Sequence, residues 1–280
     1  MAKILITGAT GNVGRAVIKN ITQEQKQNLL IATQKPNLLS LNEVFFDLSD
    51  LENSQEAIAK ADILFLLRPP RLTDIAGIFE PLITMCVQRG VKHIVFLSVQ
   101  GAERMSVIPH SKIEKLIVKS GIPYTFIRPS YFMQNLTTVF LKEIRERKQI
   151  SIPAGKAKFL WVDVNDIGKS VAAVLADVTK HQHKTYIITG KELLNFQETT
   201  DLLSEVLNKP VEYKSPNPVS FYFQKRKEGL DSAFVFIMLA LHLLPRFDKT
   251  PAISKDFTFL TGEQRNTLKQ FLVENKSLFL

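Results

Sequence analysis

The amino-acid sequence predicts an α/β fold with a doubly wound parallel sheet, followed by a smaller and mainly helical C-terminal lobe. The first observation is that short apolar runs alternate with helical spacing through the first half of the chain. The second is that these runs are continuously apolar, as in strands that helices cover on both faces. The third is the loss of this rhythm after about residue 130, where helical patterns dominate.

The first strand and the first helix are separated by a glycine-rich turn in LITGATGNVGRAV, which carries Gly8, Gly11 and Gly14. Such a turn binds the phosphates of a dinucleotide, because glycine lets the backbone approach the anion and the helix N-terminus offers free N–H groups. A readable strand before the glycines and a readable helix after them support this interpretation. We therefore predict a Rossmann-like dinucleotide loop.

The remaining strands and helices of the sheet follow in order. Strands are predicted over residues 3–7, 29–33, 43–46, 62–67, 93–98, 124–128 and 184–190, and helices over 12–24, 50–60, 74–89 and 110–120. Residues 159–177 are predicted to form a strand followed by a helix. Further helices are predicted over 196–207, 218–229, 231–244 and 263–276. Ligands of such sheets bind at the carboxyl ends of the strands, so a site is expected in the loops that follow them.

Two domains follow from this pattern: a dinucleotide-binding domain over residues 1–190 and a substrate-binding lobe over 191–280, to which 131–155 contributes. The apolar run AFVFIMLALHLL (233–244) is too short to span a bilayer, so no membrane span is predicted. We interpret it as a buried helix of the lobe. A lid over an apolar pocket and a helix of a homodimer stay open as alternatives.

Composition and charge exclude several classes of protein. A single cysteine, Cys86, rules out a disulfide framework within one chain and favours a cytoplasmic location, as does the absence of a secretory signal. The five histidines show no metal spacing, so no metal site is predicted. The net charge of +9 is scattered, and the basic clusters at 142–148 and 225–227 are interpreted as solvated helix faces. No nucleic-acid partner is therefore predicted.

The tip of the second strand indicates which dinucleotide is bound. A carboxylate about 20 residues after the glycines selects NAD by accepting a hydrogen bond from the ribose 2′-hydroxyl. Here that position is Gln34, followed by Lys35, in ATQKP. A cation at this place suits the 2′-phosphate, so NADP(H) is favoured over NAD(H). Arg15 is a second basic candidate, and a plain solvent-facing role for Lys35 stays open.

Several motifs together resemble the NmrA-like family, the atypical branch of the short-chain dehydrogenases/reductases. They are GATGNVG, FLLRPP (65–70), FLSVQGAE (96–103), HSKIEKLIVKSGIPYTFIRPSYFMQNL (110–136) and FTFLTGEQRNTLKQFLVENKSLF (257–279). The resemblance runs nearly end to end. The branch includes NAD(P)H-dependent quinone and azo reductases, isoflavone-type reductases, and non-catalytic sensors that bind dinucleotide and regulate transcription factors.

The resemblance implies a role for individual residues toward the cofactor. The phosphate loop would consist of Gly8, Thr10, Gly11, Asn12, Val13 and Gly14. Gln34 and Lys35 would lie by the adenosine ribose, Asp47 near the adenine, Leu67, Arg68 and Pro69 at the end of the fourth strand, Ser98 at the end of the fifth, Lys112 at the nicotinamide ribose, and Pro129, Tyr131, Phe132 and Asn135 beside the nicotinamide.

One departure from the wider superfamily concerns the proton donor. The superfamily places a tyrosine four residues before the lysine, but the position four before Lys112 is Ile108. The standard acid for alcohol and ketone chemistry is therefore missing. His110 and Tyr131 are the candidate replacements, although a surface or capping role for His110 stays open. We predict Lys112, Tyr131 and His110 as catalytic residues.

The leading hypothesis is an NAD(P)H-dependent oxidoreductase that transfers a hydride to a quinone-like or other small apolar acceptor. Hydride transfer to a quinone needs mainly orientation and an apolar slot, for which Phe132, Met133, Phe140 and the C-terminal phenylalanines are candidates. The alternative is a non-catalytic, NADP(H)-binding redox sensor with a protein partner. A third hypothesis is an epimerase or isomerase with tightly held NAD.

Overall fold

The computed structural model describes residues 2–37, 42–69, 72, 74–247 and 251–280. Its strands are β1 (Ile4–Ile6), β2 (Leu29–Thr33), β3 (Glu43–Phe45), β4 (Ile63–Leu67), β5 (His93–Leu97), β6 (Tyr124–Pro129), β7 (Tyr131–Phe132), β8 (Gln149–Ser151), β9 (Lys158–Val162), β10 (Lys184–Ile188), β11 (Leu193–Asn195) and β12 (Glu212–Lys214). Its α-helices are α1 (Asn12–Asn20), α2 (Gln23–Lys26), α3 (Leu51–Ala59), α4 (Glu80–Gln88), α5 (Pro109–Ser120), α6 (Leu141–Arg147), α7 (Val164–Ala176), α8 (Phe196–Leu207), α9 (Pro218–Lys227), α10 (Ser232–Leu243), α11 (Asp256–Thr261), α12 (Leu268–Glu274) and α13 (Lys276–Phe279).

Seven strands form one parallel sheet in the order β10-β6-β5-β4-β1-β2-β3. The predicted doubly wound α/β fold is confirmed. The chain starts in the middle of the sheet, moves outward through β2 and β3, and returns to place β4 on the other side of β1. The point between β1 and β4 is therefore the topological switch point, where ligands of such sheets bind beyond the carboxyl ends of the strands.

The predicted strands of this sheet all form, within two residues of their predicted ends. The strands in the middle of the sheet are buried on both faces, and β1 and β5 are buried at every residue, which explains why they are apolar without alternation. The edge strand β3 is partly buried. The helix predicted over 74–89 divides into a π-helical turn at Ile75–Phe79 and the α-helix α4. The helix predicted over 12–24 ends at Asn20, and a separate short helix follows it.

The sheet belongs to the first of two compact units, which consists of residues 1–129, 164–188 and 255–264. Two of these segments are tied to each other by close packing. α1 and α7 approach so closely that a Cβ on Gly168 would lie 2.5 Å from the carbonyl carbon of Ala16. α11 packs against α7 and β10, and the Asp256 carboxylate accepts a hydrogen bond from the backbone N–H of Ile187 at 2.6 Å.

The second unit consists of residues 130–163, 189–254 and 265–280. Helices dominate it, together with a three-stranded sheet (β11-β9-β7) and a two-stranded sheet (β12-β8). Its core is aromatic, with Trp161, Phe196 and Phe221 fully buried. The boundary predicted near residue 190 lies close to Ile188, where the second segment of the first unit ends. Residues 255–264, however, return to the first unit, and the second unit begins at Ser130.

The apolar run 233–244 forms α10. One face of this helix is buried through Val235, Met238 and His242, whereas Phe236 and Leu241 on the other face are 59% and 55% exposed. None of the helices in the described part of the chain has the length and apolar character needed to cross a membrane.

Candidate active site

The glycine loop connects the end of β1 to the start of α1. Gly8 adopts a left-handed backbone with φ +62°, which favours glycine. The Gly8 carbonyl then accepts a hydrogen bond from the Gly11 N–H at 3.0 Å, and Gly11 caps α1 without a side-chain hydrogen bond. The first turn of α1 carries no acidic residue. The first N–H groups of a helix have no intrahelical acceptor, so those of α1 can donate to an anion without an acidic side chain competing for them.

The third glycine of the loop is required by a close backbone approach. A Cβ at Gly14 would lie 2.2 Å from the Gly8 carbonyl oxygen and 2.7 Å from the Ala9 Cα. Thr10, Gly11 and Asn12 are exposed, whereas Val13 is buried beneath the helix. Gly8, Thr10 and Gly11 thus lie in the turn, and Asn12, Val13 and Gly14 form the start of α1.

The end of β4 lies beside this loop, as the switch point requires. The Thr7 hydroxyl donates to the Phe65 carbonyl at 2.9 Å and accepts from the Leu67 N–H at 2.9 Å, which joins the two strand ends. A Cβ on Gly8 would meet the Leu67 side chain at 3.2 Å. The Arg68 guanidinium donates to two backbone carbonyls, those of Pro69 and Leu72. Leu67, Arg68 and Pro69 are all partly buried there.

Ser98 follows β5 and is 2% exposed, yet its hydroxyl has no hydrogen-bond partner among the described residues. A buried hydroxyl without a partner costs free energy, and such an atom at a sheet edge is a candidate ligand contact. The imidazole of His110 lies on the same side of the sheet, 6.1 Å from the Phe96 ring. Burial, with a smaller effect of the Arg68 charge, lowers the pKa of His110 to about 3. His110 is therefore neutral at physiological pH.

Lys112 stands on the first turn of α5 and is exposed, two residues after His110. Its helix is anchored from the opposite face by Glu114, whose carboxylate accepts two hydrogen bonds from Arg128 of β6 at 2.9 and 2.6 Å. Arg128 donates a third hydrogen bond to Glu103 at 2.8 Å. These charges hold the pKa of Arg128 above its usual value. The link fixes the helix that carries Lys112 relative to the sheet.

The tips of β2 and β3 bring Gln34 and Asp47 together. The Gln34 side-chain N–H donates to the Asp47 carboxylate at 2.8 Å. Lys35 is exposed beside them, and Arg15 is exposed on the first helix. Within the described part of the chain, neither cation forms an ion pair. Both are therefore available to an anionic ligand.

In the second unit, Tyr131 lies in β7 within an aromatic cluster. Its ring is 4.9 Å from Phe159 and 4.8 Å from Trp161. Its hydroxyl lies 2.8 Å from Nε2 of His242, which is 3% exposed in α10. The sequence separation of this pair is 111 residues, and no sequence signal pointed to it.

The hydrogen bonds of His242 determine which atom of this pair holds the proton. Nδ1 lies 2.6 Å from the Met238 carbonyl oxygen, which only accepts, so Nδ1 carries the hydrogen. Burial lowers the pKa of His242 to about 4, so Nε2 is a bare acceptor at neutral pH. Tyr131 therefore donates to His242. Burial also raises the pKa of the Tyr131 hydroxyl, which keeps it protonated.

The other residues predicted beside the nicotinamide divide between the units. Pro129 ends β6 in the first unit, and its carbonyl accepts from the Gln100 N–H at 2.9 Å. Phe132 and Asn135 belong to the second unit and are partly buried. Of the predicted slot residues, Met133, Phe140 and Phe221 are core side chains, whereas Phe223 and Phe236 are exposed.

Two further observations concern metals and thiols. The described residues contain no group of three or more histidine, cysteine or acidic side chains placed to hold a metal ion. Cys86 is buried, and burial raises the pKa of its thiol to about 12, so the thiol is unreactive.

The residues of the first unit fit a bound dinucleotide. A side chain at Gly14 would fill the space between the loop and α1, and the Ser98 hydroxyl is buried without a partner among the described residues. The exposed cations Arg15 and Lys35 form no ion pair within the described part of the chain. These features lie along the carboxyl edge of one sheet. The arrangement can hold a pyrophosphate at the loop and a ribose at the tip of β2.

Comparison with known proteins finds relatives along nearly the whole chain. Prestalk A differentiation protein A of Dictyostelium discoideum is 29% identical over 282 residues, which cover 98% of this chain and 92% of that protein. An NAD(P)H azoreductase of Xenophilus azovorans is 26% identical, with 99% of each chain covered. An NADPH-dependent quinone oxidoreductase of Escherichia coli, solved with NADPH, has the same fold, with a TM-score of 0.84 at 20% identity and 97% and 99% of the two chains covered.

The model of the NmrA-like family matches residues 1–225. This range contains the glycine loop, both strand tips beside it, Lys112 and Tyr131. The chain belongs to the NmrA-like family.

Proposed function

We propose that the chain is an NAD(P)H-dependent oxidoreductase that reduces a quinone-like or other small apolar acceptor. The observation that carries this proposal is the glycine cradle at the switch point of the sheet, where Gly14 allows contact with the Gly8 carbonyl and the first turn of α1 carries no acid. The relatives support the reaction class, because an azoreductase and a quinone oxidoreductase are among them.

Within this proposal, NADP(H) is favoured over NAD(H). Lys35 at the tip of β2 and Arg15 on α1 are exposed cations without ion pairs among the described residues. An arginine or lysine at this place neutralises a 2′-phosphate. The quinone oxidoreductase of Escherichia coli was solved with NADPH, which supports the same preference.

A bound nicotinamide would supply the hydride, and the chain would supply binding, orientation and a proton. We assign Lys112 to the nicotinamide ribose and the Ser98 hydroxyl to a polar group of the cofactor. Two groups are candidates for the proton donor. The pKa of His110 is lowered to about 3, so only the weakly acidic N–H of its neutral ring would be a proton source. Tyr131 is a protonated phenol whose hydrogen is directed at His242.

The proton donors can be separated by substitution. Tyr131→Phe removes the hydroxyl and keeps the aromatic packing, and His110→Asn removes the imidazole. The variant whose turnover falls, with nucleotide affinity unchanged, identifies the donor. If neither falls, the acceptor takes its proton from water, as a quinone oxygen is able to do.

The reaction itself is tested by following nucleotide fluorescence. Protein is mixed with NADPH, and quinones and azo dyes are then added in turn. We expect enhanced fluorescence on binding and an acceptor-dependent decay. Lys112→Ala slows the decay at least about tenfold, whereas Lys119→Ala, an exposed lysine in the last turn of the same helix, leaves it unchanged. Absence of enhancement with either NADPH or NADH overturns the proposal.

A second candidate function rests on the residue at position 108. The isoleucine there removes the tyrosine of the wider superfamily, which suits a non-catalytic NADP(H) sensor with a protein partner. Enhanced fluorescence without decay across the whole acceptor panel would favour this function. We propose a cytoplasmic location for either function. The enzyme would bind a small apolar molecule and would not bind nucleic acid.

A further inference from the structure

Asp47 is held in place from several sides at the tip of β3. Its Oδ1 accepts from the Ser49 N–H at 2.8 Å and from the Ser49 hydroxyl at 2.6 Å. Its Oδ2 accepts from Gln34 at 2.8 Å. Its backbone N–H donates to the Ser54 hydroxyl at 2.8 Å. The carboxylate is therefore a fixed negative charge with one oxygen committed to Gln34.

This contact determines which end of the Gln34 amide faces outward. An ionised carboxylate only accepts hydrogen bonds, so the end of the amide that meets Asp47 is the nitrogen. The carbonyl oxygen Oε1 consequently points away from Asp47. Gln34 is exposed, and nothing among the described residues donates to its Oε1. The tip of β2 thus presents a hydrogen-bond acceptor with a carboxylate behind it.

An acceptor at this position discriminates between the two dinucleotides. The ribose 2′-hydroxyl of NAD(H) donates a hydrogen bond, whereas the 2′-phosphate of NADP(H) only accepts and is negatively charged. The second N–H of the Gln34 amide lies at the end held by Asp47. A phosphate that reached it would approach the carboxylate, and like charges repel at this range even in a partly solvated site.

We propose that Asp47, acting through Gln34, is a specificity-determining residue that limits the preference for NADP(H), so that the chain also uses NAD(H). Lys35 and Arg15 attract the 2′-phosphate, and Asp47 opposes them. This inference rests on the proposed binding of a nicotinamide dinucleotide. A carboxylate at position 34 itself would favour NAD(H) by accepting a hydrogen bond from the ribose 2′-hydroxyl. The inference assigns this role to Asp47, which lies 13 positions away in the sequence.

The test is the ratio of two dissociation constants, Kd for NADH over Kd for NADPH, measured by fluorescence titration without any acceptor. Asp47→Asn removes the charge and keeps an acceptor for the amide, and we expect the ratio to rise at least about fivefold. Asp47→Ala also frees the amide to turn its N–H groups toward the phosphate. We expect a rise of at least about tenfold for that variant.

Ser49→Ala is the matched control, because it removes one donor from the other oxygen of the same carboxylate and keeps the charge. The ratio stays within about twofold of the wild-type value in this variant. Any contact between Asp47 and the adenine affects both nucleotides equally, since they share that ring, and it cancels in the ratio. Circular dichroism and a thermal melt establish that each variant is folded.

Gln34→Ala provides a second, independent measurement that leaves the contacts of Asp47 with Ser49 and Ser54 intact. We expect it to raise the ratio by removing the acceptor oxygen. If folded Asp47→Asn and Gln34→Ala both keep the wild-type ratio, or lower it, the inference is wrong. If the wild-type protein binds neither nucleotide, it is the proposed function that fails, so the two failures are distinguishable.

Discussion

At the scale of single residues, the glycine loop is the part of the site that the sequence described best. The spacing of Gly8, Gly11 and Gly14 predicts a turn against an anion, and the structure shows the carbonyl of Gly8 under Gly14. The link between Gln34 and Asp47 has no such signal, because it joins two side chains on different strands. Local spacing predicts backbone shape, whereas contacts across a sheet depend on strand order.

Gly11 and Gly14 differ in how much space a Cβ atom would have, and this difference yields a prediction. Gly14→Ala places a Cβ 2.2 Å from backbone atoms that cannot move independently, so we expect a loss of about 2 kcal/mol in the free energy of unfolding. Gly11→Ala meets only the Gly8 carbonyl at 3.3 Å and costs under about 1 kcal/mol. Urea denaturation of both variants measures the difference.

Nucleotide binding supplies the complementary readout for Gly11. Because Gly11 is exposed on the outer surface of the loop, a methyl group there occupies space that a pyrophosphate would need. The Gly11→Ala variant is expected to fold as the wild-type chain does and to bind NADPH at least about tenfold more weakly. Unchanged affinity in this variant would contradict a close approach of the phosphates to Gly11.

At the scale of elements, apolar periodicity predicted the seven strands of the parallel sheet and failed for the short strands of the second unit. β7, β8, β11 and β12 have only two or three residues each, and unlike the equally short β1 and β3 they lie outside the regular alternation of strands and helices. The close approach of α1 and α7 was also unpredicted. Gly168 looks like an ordinary helix glycine in the sequence, and only the structure shows Ala16 against it.

The link between β6 and α5 leads to a second prediction. Arg128 and Glu114 have side chains that are 12% and 8% exposed. Glu114→Gln leaves a buried guanidinium with only the more exposed Glu103 as a charged partner, so we expect a loss of about 3 kcal/mol in the free energy of unfolding. Glu103→Gln, which removes the charge of the more exposed partner of the same guanidinium, costs under about 1 kcal/mol.

Chemical denaturation tests this pair of variants under identical conditions. Equal losses for Glu114→Gln and Glu103→Gln would show that burial of the carboxylate does not decide the strength of the link. Because α5 carries Lys112, we also expect Glu114→Gln to weaken NADPH binding, and Glu103→Gln to affect it less.

At the scale of the whole molecule, buried neutral histidines make stability depend on pH. Burial lowers the pKa of His93, His110 and His242 to about 4, 3 and 4, whereas an unfolded chain has histidines near pKa 6.5. Between these values the unfolded state binds more protons than the folded state. The free energy of unfolding is therefore greatest above about pH 7 and falls as the pH decreases toward 5.

The slope of this dependence can be assigned to individual residues. Each histidine contributes up to about 1.4 kcal/mol per pH unit between pH 5 and 6.5. His93→Gln is expected to remove its share of the slope, because this imidazole is buried and its pKa is lowered to about 4. Denaturation midpoints measured across this pH range check the prediction. A slope that is unaltered by His93→Gln would mean that this imidazole is protonated in the folded protein.

The interleaving of the two units has a consequence for how the protein is made and how it can diverge. The ribosome releases most of the sheet early, but β10 gains the carboxylate of Asp256 and the cover of α11 only after residues 255–264 have emerged. Domains usually fold as contiguous pieces during synthesis. Here neither unit is contiguous, so a single genetic crossover cannot exchange the second unit for another without cutting the first unit as well.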